Sequence, residues 1–473
     1  MIWHFIAVSC AVVGAGFVLI NDTVWSQIQF YKRLSIASIK HFLRYLFVSH
    51  LKKSEAFTDL LLELAKTDVL FVKVIQAISF NYNFLDADLH AKITQFSDNV
   101  PYDADDIDIV TLDAVSRNTS FVYVDTKAFP FRSGMISLIY ALRHKDTGKE
   151  YVLKVKRLNI DERLGNSIDN MSGLLYLLSV VLNQWFSLDV TDVISRHLNL
   201  LREQLDFSLE MKNTLTARSD LADVDYIRIP EIYNFVSFSD RAIIMERLPG
   251  KHMNEIPIAE REMYSDLAIK YFFVSSVIHH KFHGDMHSGN VLFIDNGTDE
   301  SDMGGPPRYQ LGIIDFGIVT HFPENITETL FYVFEHQQNP EMTESITRAY
   351  MNNFMHPPNV LDILGKEAAR PIVKDASCIA RAVFQNGEML DQSHFYRIFQ
   401  CINDNITSEV VAKYDIKTSD GFVKFEVAIS MCNSLVIHLT GGDMNTHMKR
   451  VFDDLFHRDL MFSDDDKYQE TIQ

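Results

Sequence analysis

A chain of 473 residues is long enough for two or three ordinary domains or one large two-lobed unit, and its 47% apolar content is that of a protein with a full core. Its formal net charge of -19 excludes general nucleic-acid binding, which needs a Lys/Arg surface against the phosphate backbone. Cys10, Cys378, Cys401 and Cys432 form no CxxC pair and no metal-ligand spacing, so structural thiols in a reducing compartment are expected.

The first element is a run from Ile2 to Ile20 interrupted only by the polar His4 and Ser9. As a helix it would span about 28 Å, close to the hydrocarbon thickness of a bilayer. No positive n-region precedes it, so residues 1–22 read as a single membrane-anchor segment rather than a cleaved signal. From Thr23 to Ser54 there is no Asp or Glu, while Lys32, Arg33, Lys40, Arg44, Lys52 and Lys53 fall there. These bases keep the following chain on the cytoplasmic side by the positive-inside rule. Interleaved with Trp25, Ile28, Leu34, Ile39, Phe42 and Leu46, they make residues 23–54 a basic amphipathic segment suited to an anionic membrane surface. A buried helix capping a globular domain is the alternative.

Residues 55–98 carry apolar side chains at helical spacing (Leu60, Leu61, Leu64, then Val69, Val72, Ile75), within a helical extension over 55–117. A strand-rich lobe is expected over 118–250. Val122–Val124 and Tyr151–Val155 are β-rich, His144–Lys149 is a turn, and short strands end at Ala242–Glu246. Over 251–462 helices dominate, apart from a hairpin near Val291–Ile314 broken by Asn296-Gly297. A helix is expected from Phe422 to Leu439, and an acidic, disordered tail over 463–473. The order predicts an α+β, protein-kinase-like, two-lobed fold with an N-terminal helical extension.

The chemistry is concentrated in Phe282-His283-Gly284-Asp285-Met286-His287-Ser288-Gly289-Asn290. An Asp followed five residues later by an Asn, just before a β-rich run, is the catalytic-loop spacing of kinases. Asp285 would accept or orient the proton of an attacking hydroxyl or water, and Asn290 would hold magnesium. Twenty-five residues on comes Asp315-Phe316-Gly317, whose carboxylate would ligate magnesium at the nucleotide phosphates. A strand lysine for the phosphates is offered by Lys154, with Lys156 close by. Glu203, Asp206 and Glu210 lie on a helical stretch, and composition alone does not choose which of them pairs with that lysine.

With these segments in hand, the chain resembles the ABC1/UbiB atypical kinase family from about Leu60 to about Leu330. The family's Lys-x-Gly-Gln motif is matched by Lys73-Val-Ile75-Gln76, with Ser79 following, and its "LxxLxDxVP" segment by Ile93–Pro101. The resemblance makes Ser133–Tyr140, including Gly134 and Ser137, the counterpart of the alanine-rich loop that replaces the kinase glycine-rich loop. It implies that Lys154 is the phosphate lysine, Glu210 its pairing glutamate and Asp206 the aspartate of the Glu-x-Asp pair. Glu246 falls in the hinge segment Met245–Gly250, and His283, Asp285, His287, Gly289 and Asn290 match "HxDxHPGN". Departures are Ile75 for the motif glycine, Gln204 for the Glu of Glu-x-Asp, Val152 for an adenine-packing alanine, and Ser288 for proline.

What the resemblance implies is an ATP- or ADP-binding, Mg2+-dependent atypical kinase or ATPase. Asp285, Lys154 and Glu210 are its expected catalytic residues. Lys154, Glu246, Gly134, Ser137, Lys73 and Gln76 are expected at the nucleotide, with Asn290 and Asp315 at the metal. Its expected partners are a nucleotide and a membrane lipid or small lipid-like substrate, with no nucleic acid. Family members are linked to isoprenoid-quinone (coenzyme Q) metabolism and sit at mitochondrial, plastid or bacterial membranes, so a membrane-associated and mitochondrial setting is expected. A catalytically silent pseudokinase scaffold at a membrane is the competing expectation.

Overall fold

The structure, a computed structural model, describes residues 28–40 except 29 and 38, residues 59, 63–64 and 70, and residues 100–118 except 101. It further describes residues 120–125, 129–182, 202–233, 240–298, 305–336, 339–385, 392–442 and 444–456. The expected anchor over 1–22, most of 23–54, Lys73, Gln76 and the tail over 463–473 lie outside the described residues.

In chain order the elements are α1 (Ile109–Asn118), β1 (Phe121–Tyr123), β2 (Arg132–Ser133), β3 (Ser137–His144), β4 (Glu150–Lys156), α2 (Ile160–Leu182), α3 (Phe207–Asp220), β5 (Ile227–Arg228), β6 (Ile232–Tyr233) and β7 (Ala242–Glu246). There follow α4 (Arg261–Phe273), β8 (Lys281–His283), β9 (Val291–Asp295), β10 (Tyr309–Ile313), β11 (Val319–His321), α5 (Glu324–His336) and α6 (Thr343–Phe354). The last are β12 (Met355–His356), α7 (Val360–Leu364), α8 (Lys366–Gln385), α9 (Gln392–Asn405), α10 (Ser408–Lys413), β13 (Lys417–Thr418), α11 (Asp420–Thr440) and α12 (Asn445–Phe456). The chain divides into two compact units, Met1–Asn213 with Glu231–Arg247, and Thr214–Pro230 with Leu248–Gln473.

The first unit is built on an antiparallel sheet in the order β1-β3-β4-β7-β6, with β2 also paired to β3. Alternation along each strand sends side chains to opposite faces, and both faces are covered. Leu138, Tyr140 and Leu142 of β3, Leu153 and Val155 of β4 and Ala242 and Ile244 of β7 pack with Leu112 and Val115 of α1. The register aligns them in rungs, Tyr140 opposite Leu153 and Leu153 opposite Ile244. On the other face Ile136, Ile243 and Met245 pack with Leu164, Ile168 and Met171 of α2 and with Phe207 of α3. Phe30 and Leu34 also belong to this core, while Lys32, Arg33, Ile36 and Ile39 are exposed. Leu34, expected on a membrane surface, is thus covered by protein, whereas Ile39 is not.

The second unit is mainly helical. Tyr264, Leu267, Ala268, Ile269, Tyr271, Phe272 and Phe273 are all buried, so α4 turns most of its surface to the core and leaves a polar edge at Glu262, Asp266 and Lys270. Among the described residues α11 alone is long and apolar enough to cross a membrane. Its Phe422, Phe425, Ala428, Cys432, Leu435 and Val436 are buried in the same core as α4, the packing of a core helix. The hairpin β9–β10 pairs Phe293 with Leu311, and β5 adds to β10 in parallel. A second ladder, β8 with β11, sets Val319 opposite His283. The helix-covered antiparallel sheet, followed by a helical unit carrying three small sheets, is an α+β, kinase-like fold.

Candidate active site

In the first unit, the period of two along β4 puts Val152, Lys154 and Lys156 on the face away from Leu153 and Val155. Lys154 is 7% exposed and its Nζ donates to both carboxylate oxygens of Glu210, at 2.7 and 2.8 Å. Glu210 is itself 1% exposed. Lys156 turns instead to Asp161 at 2.9 Å, and the two ammonium groups flank the Phe207 ring at 5.4 and 5.5 Å. Of the three carboxylates on this stretch, Glu203 is exposed and Asp206 caps α3. The Asp206 Oδ1 accepts the backbone N–H groups of Ser208 and Leu209, both at 3.0 Å. Glu210, one turn on, is the one carried to Lys154.

The turn from β2 to β3 is closed by the Gly134 N–H donating to the Ser137 carbonyl at 2.9 Å, and Ser137 is buried. A Cβ on Gly134 would stand 3.5 Å from that carbonyl, an ordinary contact. Glu246 ends β7, buried. One of its carboxylate oxygens is 3.4 Å from Lys149 Nζ and the other accepts the Glu231 N–H at 3.3 Å.

In the second unit the residue before the Asp-Phe-Gly segment acts as a pin. The Ile314 N–H donates to the Asn290 carbonyl at 3.0 Å, and the Ile314 carbonyl is 3.0 Å from Nε2 of His283. His283 Nδ1 accepts the Asp285 N–H at 3.1 Å, which fixes the neutral tautomer protonated on Nε2. Burial holds the His283 pKa below its ordinary value, against the opposing pull of Asp285, so the ring stays neutral and keeps both bonds. Its ring also lies 5.1 Å from that of the buried Phe316. Within the loop, Asn290 Nδ2 donates to the Asp285 carbonyl at 3.0 Å and the Asn290 N–H donates to the His287 carbonyl at 2.9 Å. His287 in turn accepts the Gly289 N–H at 3.0 Å and stands 3.7 Å from the Asp285 carboxylate. Asp315 has φ +65°, a left-handed conformation that Asp tolerates better than most residues.

In the sequence His283 is only a motif position. Its role as the tie between loop and Asp315 depends on where β8 ends, which the sequence does not specify. A second feature is invisible there: two members of the acidic run Asp103–Asp108, Asp106 and Asp108, are buried and ion-paired. Asp106 is bound by Arg157 at 2.8 Å and by Arg163 at 2.5 Å, and Asp108 by Arg241 at 2.6 Å. Asp106 and Asp108 are 4% and 5% exposed. Burial raises both carboxyls, but hydrogen bonds and charge outweigh it and leave both below the ordinary carboxylate value. Arg163 and Arg157 do this for Asp106, and Thr111 and Arg241 for Asp108.

Among the described residues no group of three or more His, Cys, Asp or Glu side chains is gathered as a metal cage. A cage is not what magnesium in a phosphoryl-transfer site requires, because it keeps waters and takes one or two carboxylates plus phosphate oxygens. Asp315 and the Asn290 amide oxygen could supply hard-oxygen donors of that kind. The Asn290 amide nitrogen is committed to Asp285, so its oxygen is the end left for a cation.

Comparison with known proteins agrees with this reading of the fold. The model of the ABC1 atypical kinase-like domain matches residues 95–346, more than half of the chain. A "Probable protein kinase UbiB" of Shewanella denitrificans is 25% identical over 247 residues, covering 51% of this chain and 45% of the relative. One of the same name from Histophilus somni is 26% identical over 284 residues, 58% of this chain and 50% of the relative. The chain thus spans about half the length of the curated relatives it matches. Among solved structures, Rv3197 of Mycobacterium tuberculosis, determined with erythromycin, aligns over 80% of this chain and 90% of its own, with 16% identity and a TM-score of 0.47. The family match, whose range includes the segments just described, makes this chain a member of the ABC1 atypical kinase-like family.

Proposed function

We propose that the chain binds a magnesium–adenine nucleotide and transfers or hydrolyses its terminal phosphoryl group. The observation that carries this reading is the Ile314 pin, which holds Asp285, Asn290 and Asp315 on one hydrogen-bonded scaffold. Phosphoryl transfer asks for that supply: a carboxylate to orient the attacking hydroxyl or water, and oxygen donors for the cation. Asp285 takes the first role, and Asn290 and Asp315 the second. Magnesium, held by Asn290 and Asp315, would supply positive charge against the phosphates. Lys154 supplies a cation for the phosphates, and Glu210 keeps its Nζ in one place. The pair is buried, so neither partner is held by solvent. Gly134, Ser137 and Glu246 are assigned to the nucleotide by family resemblance, as are Lys73 and Gln76.

The acceptor that fits the family is a small lipid-like molecule of the isoprenoid-quinone kind rather than a nucleic acid, which the net charge of -19 disfavours. The basic, apolar N-terminal sequence supports work at a membrane surface, in a mitochondrial or equivalent setting.

A thermal-shift titration of the full chain with ATP and ADP, each with and without Mg2+, tests the binding step. A ligand at one hundred times its Kd adds about 2.7 kcal/mol of stability, so a magnesium-dependent rise in Tm is expected with both nucleotides. Phosphate release or transfer that disappears in Asp285→Asn, with binding retained, completes the case. A Tm rise without turnover in the native chain would leave a nucleotide-binding scaffold, and no rise under any condition would remove the nucleotide itself.

A further inference from the structure

In kinases the turn that opens this lobe covers the nucleotide phosphates. Here the corresponding turn, Ser133–Ser137, is held from behind by one buried guanidinium. Arg157 follows β4 and is 2% exposed. Its Nε and Nη2 donate to the Gly134 carbonyl at 3.0 and 2.8 Å, and its Nη2 also reaches Ser133 Oγ at 2.8 Å. Its backbone N–H donates to the Ile136 carbonyl at 2.9 Å. The far side of the same guanidinium is held by the segment that precedes α1. Nη1 donates to Asp106 at 2.8 Å and Nη2 to the Val100 carbonyl at 3.0 Å. That segment also grips the turn directly, with Ser133 Oγ on the Val100 carbonyl at 2.6 Å and the Val100 N–H on the Ser133 carbonyl at 2.9 Å. The planar fork of an arginine can bind a carbonyl, a hydroxyl and a carboxylate together. A lysine, a single point charge, cannot keep all three.

We propose that Arg157 is a positioning residue for the Ser133–Ser137 turn, and that through it the segment Val100–Asp106 sets how tightly the chain holds nucleotide phosphates. Resting on the nucleotide reading above, the proposal adds to it a regulatory handle. Any partner or rearrangement that draws Asp106 off Arg157 loosens the turn without touching Lys154, Asp285 or Asp315.

The test measures binding of Mg-ADP, Mg-ATP and adenosine by calorimetry on the full chain, in the native form and in Arg157→Lys, Asp106→Asn and Ser133→Ala. Arg157→Lys should weaken both phosphorylated ligands about ten-fold, the loss of one or two charge-assisted hydrogen bonds, and leave adenosine unchanged. Asp106→Asn should do the same although Asp106 does not touch the turn. Ser133→Ala removes only a hydroxyl and stays folded, so it keeps the test open if the charged variants fail to fold; about a three-fold loss confined to the phosphorylated ligands is expected. Equal losses for adenosine would make Arg157 a general structural residue and overturn the proposal, as would unchanged affinity for all three ligands in Ser133→Ala and Arg157→Lys. A native chain that binds none of the ligands overturns the nucleotide reading itself, so the native arm and the variant arms report separate failures.

Discussion

In the first unit Lys154 is placed by a carboxylate 2.7 Å away, and Asp106 and Asp108 by three arginines, in surroundings that exclude most water. In the second unit Asp285, Asn290 and Asp315 are placed by main-chain hydrogen bonds and one neutral histidine. Under the proposed function, the difference follows from what each part would have to do. A cation kept waiting for phosphates must have its charge balanced while the site is empty, because an isolated buried charge costs several kcal/mol. Carboxylates kept waiting for a metal do better on a rigid backbone that fixes where their oxygens lie. Neutralising a charge should therefore unsettle the first unit and spare the second.

The largest effect is expected at the buried pair. Glu210→Gln removes the counter-charge that Glu210 gives Lys154 and should cost about 3–5 kcal/mol of stability, read by denaturant unfolding. Lys154→Met with Glu210→Leu should recover most of that loss, because replacing both ions removes the desolvation penalty, yet it should not recover nucleotide binding. In the second unit Asp285→Asn should cost less than about 1 kcal/mol, since Asp285 ties into the loop through its own backbone N–H and carbonyl. Equal destabilisation by Glu210→Gln and Asp285→Asn would dissolve the contrast between the units.

Next comes Asp315. Asn can adopt the left-handed φ of +65° that this position has, so Asp315→Asn should fold as the native chain does. It should lose magnesium-dependent nucleotide affinity by about 100-fold, or about 2.7 kcal/mol. Calorimetry with and without Mg2+ separates the two. An Asn variant that binds as the native chain does would take the metal away from Asp315.

How much of this can be read from sequence differs between the units in the same way. The second unit's loop is legible because its donors lie within a few residues of one another, and spacing alone, as in Asp285 to Asn290, carries the geometry. The strand holding Lys154 is legible from its apolar run. Without the family resemblance its partner is not, since Glu210 is 56 residues away and three carboxylates on that stretch are open to the role. That Asp206 is a helix cap and Glu210 the partner follows from the start of α3, a boundary that sequence places only to within a few residues. The network of Asp106 and Asp108 is illegible for a stronger reason. Four aspartates in six residues read as a solvated run, and only tertiary structure brings Arg157, Arg163 and Arg241 to them.

A smaller effect separates two glycines. A Cβ on Gly284 would overlap Ile318 Cγ2 and stand 3.1 Å from Thr320 Oγ1, inside the ladder that ends at His283. Gly284→Ala should cost about 1–3 kcal/mol by overpacking and slow turnover by shifting Asp285. Gly134→Ala meets only an ordinary contact and should change stability by less than about 1 kcal/mol. A greater loss at Gly134 than at Gly284 would show that the turn of the first unit is the tighter of the two.

The finest distinction is the response of each unit to pH. Asp106 and Asp108 lie below their ordinary value in the folded chain, so their stabilisation is complete above about pH 4 and is lost as acid protonates them. Glu426, on α11, behaves in the opposite way. Burial pushes its pKa up to about 8, and the Tyr350 hydroxyl, raised well above its ordinary value first by burial and then by Glu426, adds no positive charge to oppose this. Between the ordinary value of 4.5 and about 8 the folded chain keeps a proton that the unfolded chain has released. The contribution of Glu426 is therefore whole below pH 4.5 and lost as pH rises, by up to about 1.4 kcal/mol per pH unit. Glu426→Gln should flatten the alkaline limb of the stability profile and leave the acid limb as it is. Hydrogen exchange resolved by segment should then place the acid loss in α1 and β4 and the alkaline loss in α6 and α11. An alkaline limb that persists in Glu426→Gln would assign it to another group and remove this last contrast between the units.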